Sequence, residues 1–360
     1  MLKNSPFSLI MPQKWIYIAI GAVILVAVLA VVFTSSKPQP PPATAQQPPP
    51  STQTSATSTV TSTQAQTAAQ TSACSGGVVG FVAPALIRVV KDAATKAGLG
   101  VDGIQSVGSV EGIRRIQGGA KPDVYASVDI ELRPDAERTG AREVFSLGRF
   151  KLALVCRRAV ELGDIPRVKL SLADPNKAPI GYRELAASWM LQQKYGVDLT
   201  GRYAALGVRY VYNGTLYIYV PSSLPNTDLT DVAPNLDATW SRLETGAVDC
   251  VYAYVPFFIN KYVELKPLGK STEYWELYEG RKGGASYNVY VFKPPYDFLN
   301  DPPISVVLVL LDPSGRPAKT LKVGRFEAFV ASYTERGDCV VNALKTMNLA
   351  DYGFVRTTSS

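Results

Sequence analysis

The chain has 360 residues, with 37 Lys and Arg against 30 Asp and Glu, a net charge of +7, and no histidine. The missing imidazole excludes a Ser-His-Asp triad, a Cys-His pair and any His-ligated metal, and the basic residues are too scattered for a nucleic-acid-binding face. Cys74, Cys156, Cys250 and Cys339 lie too far apart for a zinc ribbon. Outside the cytoplasm they allow two disulfides in three connectivities, with buried free thiols as the alternative.

Trp15 to Phe33 is a run of 19 residues without a charge, close to the length that spans a bilayer as a helix. Lys3 and Lys14 precede it and Trp15 and Tyr17 sit at its edge, which predicts a cytoplasmic segment 1–14, a single-pass helix 15–33 and an extracellular remainder. A cleaved signal peptide is the alternative, but Phe33-Thr34-Ser35-Ser36 makes a poor cleavage site. Residues 34–75 are almost all Pro, Ser, Thr, Gln and Ala; with so little to bury they are expected to form a stalk. A domain starting at about Gly76 is expected to fold without it.

From Gly77 the pattern alternates between strand and helix. Gly77 to Val82 is an apolar strand, and Leu86, Ile87, Val90, Ala93, Ala94 and Ala97 recur at helical spacing. Val110 to Gln117 predicts a second helix, ended by Gly118-Gly119, and Pro122 to Ser127 and Phe150 to Cys156 read as buried strands. A helix over Glu184 to Tyr195, a hairpin around Asn213-Gly214, a helix over Ala238 to Leu243 and a strand over Ala247 to Val255 follow. Tyr287 to Phe292 and Ile304 to Leu311 predict strands, and Val323 to Tyr333 and Val340 to Met347 predict helices. Such alternation argues an α/β fold with a mostly parallel sheet.

At this point an ordered set of words becomes recognisable: Val107 to Ile116 (VGSVEGIRRI), Lys121 to Pro134 (KPDVYASVDIELRP), Phe150 to Arg158, Asp174 to Ala187 (DPNKAPIGYRELAA) and Leu243 to Leu268. Their order and spacing resemble the tungstate/molybdate-binding proteins of ABC importers. The resemblance implies a two-lobed Venus-flytrap fold of the type II periplasmic-binding-protein class: 76–157 and 256–360 would form lobe 1, and 158–255 lobe 2. It also implies an importer permease as partner, and an oxyanion held in the cleft by hydroxyls and backbone amides, with no cofactor. The family's Gly-Ser at the first strand-to-helix turn is Ala83-Pro84-Ala85 here, and its two carboxylate positions fall at Ala178 and near Leu236, beside Asp237. This favours a plain hydrogen-bonded tetrahedron, with sulfate as a competitor.

The residues carry the same chemistry. Gly108-Ser109 opens a helix, where a capping hydroxyl and free N–H groups favour an anion; a plain N-cap is the alternative. Ser127 ends a strand at the edge where cleft ligands bind, or is a turn serine. Tyr182 and Arg183, at the start of the next helix, could bind an oxyanion, while a structural ion pair would equally explain Arg183. Tyr254 ends a strand and lines the cleft or packs in the core. The expected ligand-binding set is Gly108, Ser109, Ser127, Tyr182, Arg183 and Tyr254. Without His or a G-x-S-x-G elbow an enzyme is not expected; the rival reading is a diverged relative that binds another solute or serves in sensing or at the cell surface.

Overall fold

A computed structural model describes residues 74–356. The expected anchor, residues 15–33, and nearly all of the expected stalk lie outside the described residues. Among the described residues no helix is long and apolar enough to cross a membrane.

In chain order the elements are β1 (Gly80–Val82), α1 (Ile87–Lys96), β2 (Ile104–Ser106), α2 (Ser109–Gln117), β3 (Val124–Ser127), α3 (Arg133–Arg138), β4 (Glu143–Arg149) and β5 (Leu152–Cys156). The middle holds β6 (Leu170–Ala173), α4 (Pro179–Tyr195), α5 (Gly201–Ala204), β7 (Arg209–Tyr212), β8 (Thr215–Val220), β9 (Thr230–Ala233), α6 (Leu236–Thr245) and β10 (Cys250–Tyr254). The last part holds α7 (Val255–Asn260), β11 (Glu264–Ser271), β12 (Trp275–Lys282), β13 (Ala285–Phe292), β14 (Ser305–Leu311), β15 (Pro317–Lys322), β16 (Glu327–Ser332) and α8 (Glu335–Lys345).

These build two lobes, each around its own sheet. The first sheet runs β2-β1-β3-β16-β4, and the second β11-β12-β13-β5-β10-β6-β9. Helix propensity decides little here; the buried faces do. Val89, Val90, Ala93 and Ala94 place α1 on the first sheet, and Val110, Ile113 and Ile116 place α2. Helix α4 lies so close to β6 that a Cβ on Gly181 would meet the Ala173 carbonyl oxygen at 1.9 Å, so only glycine fits there.

The chain passes from one sheet to the other at Phe150–Lys151 and leaves β10 directly for α7, which packs on a short 3-10 helix, Pro84–Leu86, of the first lobe. The two crossings touch: the Val255 N–H donates to the Lys151 carbonyl at 3.2 Å. Aromatic rings fill the junction. Phe150 stacks on Phe326 at 5.0 Å between centroids, and Tyr254 meets Phe326 edge-on at 4.7 Å. Such pairs add stabilisation beyond their buried area.

Several expectations change. The first sheet is mixed: β1 is parallel to β2 and β3, but β16 runs antiparallel to β3 and β4. The second is mainly antiparallel, with parallel pairing only for β6 with β10 and with β9. The helix expected over 323–333 is strand β16, buried from Ala328 through Ser332. The sheet change comes before β5, not after Cys156, and β11 to β13 stay with the second sheet. A third sheet, β15-β14-β8-β7, pairs β14 parallel with β8 across about ninety residues of sequence.

All four cysteines are paired. Cys156 and Cys250 face each other on β5 and β10, and Cys74 reaches α8 at Cys339, 265 residues away. A domain cut at Gly76 would therefore lose a bridge. We expect a chain that keeps Cys74 to melt within a few degrees of the full-length protein. Starting at Gly76, or Cys74→Ser, should cost about 2–5 kcal/mol. Thermal unfolding of the three forms, followed by circular dichroism, tests this; equal melting temperatures would refute the assigned bridge.

Candidate ligand cleft

Where the lobes meet, helix N-termini converge on one small cavity. Gly108 and Ser109 at the start of α2 come from the first lobe, together with Ala83, Pro84 and Ala85. Ala178 to Ile180 at the start of α4, and Asn235 and Leu236 at the start of α6, come from the second. Val128 and Tyr254 complete the wall. The first N–H groups of a helix have no acceptor within it, and its dipole favours negative charge. This is the arrangement that suits an anion, but Pro84 and Pro179 supply no N–H, and the remaining walls are mostly apolar. The cavity measures about 10 Å³, about what one water molecule needs.

The lobes are in contact along its rim. A Cβ on Gly108 would stand 2.6 Å from the Lys177 carbonyl oxygen of the opposite lobe, so a side chain there would wedge them apart. Arg114 Nη1 donates to the Asn176 carbonyl at 3.1 Å, and Ser106 Oγ to Asp237 Oδ2 at 2.5 Å. Lys261 Nζ also reaches Asp237, at 2.5 Å. Asp237, next to the place where the resemblance puts a carboxylate, is thus spent on the rim.

The six expected residues fall into two groups. Gly108, Ser109 and Tyr254 line the cavity. Ser109 does not cap α2 as expected: Gly108 is the N-cap, and Ser109 Oγ instead accepts the Val128 N–H at 3.2 Å. Tyr254 also packs edge-on against Phe150 and Phe326.

Ser127, Tyr182 and Arg183 gather instead around Asp129, which the sequence reading did not single out. Ser127 Oγ accepts the Asp129 N–H at 3.0 Å and donates to its carbonyl at 3.2 Å. Tyr182 donates its hydroxyl to Asp129 Oδ2. Arg183 Nη2 donates to Asp129 Oδ1 at 2.9 Å and to the Arg325 carbonyl at 3.0 Å, and Nε to the Gly324 carbonyl at 2.9 Å. The guanidinium lies 4.4 Å from the Phe326 ring centre. Arg183 and Asp129 are 0% and 1% exposed. Burial alone would pull the guanidinium down; Asp129 more than offsets this and holds it above its ordinary value. Burial, then the Asp129 charge, pushes the Tyr182 phenol well up, so it stays a donor.

The cluster bolts lobe to lobe, because α4 belongs to the second lobe while Asp129, Gly324 and Arg325 flank strands of the first. The Asp129 partner could have been suspected from the sequence only as an acid following β3; nothing local places it against a residue 54 positions on.

No family model matches the chain, and no curated protein matches it. Among solved structures, it is similar to the periplasmic molybdate-binding protein of Azotobacter vinelandii, at 12% identity and TM-score 0.47 over 78% of this chain and 100% of that one. The sulfate-binding protein SubI of Mycobacterium tuberculosis is 11% identical, with TM-score 0.44 over 78% and 86%. AfuA of Actinobacillus pleuropneumoniae, with fructose-6-phosphate bound, is 11% identical, with TM-score 0.40 over 77% and 78%. The two-lobed fold stands on the strand orders and crossings above, not on these superpositions.

Proposed function

We propose that this chain is an extracytoplasmic solute-binding protein, held at the membrane by residues 15–33, that captures a small oxyanion in its cleft for an ABC importer. The observation that carries the reading is the convergence of the α2, α4 and α6 N-termini on one cavity between two lobes. Helix N-termini favour anions through their dipoles and first-turn N–H groups, although the Asn235 side chain already accepts the Ala238 N–H at the start of α6. Tungstate and molybdate are the first candidates on the strength of the local resemblance. Sulfate competes, since neither Ala178 nor Leu236 offers a carboxylate to repel a dianion or to complete six-fold coordination.

A second reading has its own support. A cavity of about 10 Å³, walled mainly by Ala, Pro, Val, Ile and Leu beside Ser109, Asn235 and Tyr254, has room for about one water and not for a tetrahedral oxyanion. This favours a diverged binding protein, for another solute or with a sensing or cell-surface role.

Titration calorimetry with tungstate, molybdate, sulfate and phosphate separates the two. On the first reading one anion binds and raises the melting temperature increasingly above its dissociation constant. Ser109→Ala should then weaken it by about 1 kcal/mol or more. If none of the four binds or stabilises the protein, the oxyanion reading falls and the diverged one stands.

A further inference from the structure

Asp129 sits where two donors of one lobe would clamp an anion against the other lobe. Tyr182 Oη and Arg183 Nη2 come from consecutive residues of α4 and converge on the two oxygens of a single carboxylate. That carboxylate belongs to the first lobe. Its backbone is fixed by the two-way hydrogen bonding with Ser127, so the group is presented to α4 in one position. Arg183 Nη1 is buried and has no hydrogen-bond partner among the described residues, so the guanidinium keeps a donor for one more acceptor atom. Each carboxylate oxygen thus has one donor, the Arg183 bond being charge-assisted.

We infer that Tyr182 and Arg183 form an anion-binding pair of the carboxylate class, and that Asp129 is the tethered anion it holds. The protein thus supplies from its own chain the charge that draws the lobes together. This builds on the reading of the chain as a two-lobed binding protein, but it concerns a second anion position, apart from the cavity at Ser109. It also gives the α4 N-terminus two roles: Ala178 to Ile180 wall the cavity, while the next turn grips Asp129. Closure and any solute contact at α4 are thereby coupled, since one rigid helix carries both.

Removing the tether while leaving the pair tests this. Asp129→Ala vacates the space of one carboxylate, which formate matches. We expect this variant to melt well below the parent, and formate to raise its melting temperature progressively with concentration. Formamide, of the same shape but neutral, and chloride at equal ionic strength should do much less. Adding Arg183→Met should abolish the formate response. A folded Asp129→Ala protein that formate stabilises no better than formamide or chloride would overturn the inference. Should that variant not fold, Asp129→Asn keeps the shape without the charge: we expect a larger radius of gyration in small-angle scattering and a lower melting temperature. A parent-like radius and melting temperature would overturn the inference equally. Neither readout uses the natural solute, so failure of all four oxyanions to bind the parent protein leaves this test intact, and failure here leaves the cavity reading intact.

Discussion

Arg183→Met should destabilise the protein by about 3–5 kcal/mol, because it strands a buried carboxylate without its counter-charge. For a domain of this size that lowers the melting temperature by roughly 10 °C. The guanidinium reaches three acceptors, Asp129, Gly324 and Arg325, and covers the Phe326 ring, so its loss also leaves two carbonyls short of a donor. A control shows why burial is decisive. Arg167 pairs with Asp164 at 2.8 Å, but their side chains are 74% and 45% exposed, and Arg167→Met should change stability little. In the Arg183→Met background, Asp129→Asn should restore part of the loss by removing the stranded charge, giving a clear coupling in a double-mutant cycle. Chemical denaturation of the four proteins measures this. If Arg183→Met is no worse than Arg167→Met, the pair does not bolt the lobes.

How much of this was legible beforehand depended on burial. Helices α1 and α2 each bury one face, so their apolar residues recur every three to four positions and could be read directly. Strand β3 is buried throughout, and its short apolar run between Asp123 and Asp129 could mean little else. Strand β16 defeated the same rule. Five consecutive residues are buried, between β3 and β4, so no period of two survives, and Val323, Phe326 and Val330 mimic a helical stripe. The Gly-Tyr-Arg word was recognisable, but its glycine is explained only by the Ala173 carbonyl packed against α4.

The site was legible by half for a related reason. Gly108 and Ser109 follow a local rule about helix starts, and the rule located the cavity although the hydroxyl went to Val128 rather than to a cap. The partner of Arg183 obeys no local rule: it required the relative placement of two lobes. The disulfide connectivity was unreadable for the same reason, since it follows from the β5–β10 register that brings Cys156 opposite Cys250. Long-range pairing of this kind leaves no trace in a single window of sequence.

One buried group makes the stability of this protein depend on pH near neutrality. Glu184, one residue beyond Arg183, points into the second lobe, where it is 1% exposed and accepts the Tyr203 hydroxyl at 2.9 Å. Arg202, Tyr252 and Tyr210 surround it. Burial pushes the carboxyl up to about 8, against the Tyr203 hydrogen bond and the Arg202 charge, which act to lower it. The folded protein therefore keeps this proton at pH values where the unfolded chain, with an ordinary carboxyl near 4.5, has lost it. The folded state binds the extra proton, so stability falls as pH rises. The contribution is complete below about pH 4.5 and is lost progressively until about pH 8, beyond which the slope vanishes. Each unit inside that window is worth at most about 1.4 kcal/mol, so the whole effect amounts to about 3–5 kcal/mol. Glu184→Gln has the same shape, can still accept from Tyr203, and has no proton to lose. We expect the parent to lose about 3–4 kcal/mol relative to Glu184→Gln between pH 5 and pH 8, with the variant the more stable at pH 8. The difference between the two unfolding free energies, measured at half-unit steps, cancels the titration of every group they share. Parallel curves across that range would mean that Glu184 ionises alike in the folded and unfolded chains, and that the Tyr203 hydrogen bond and the Arg202 charge suffice to keep it charged inside the lobe.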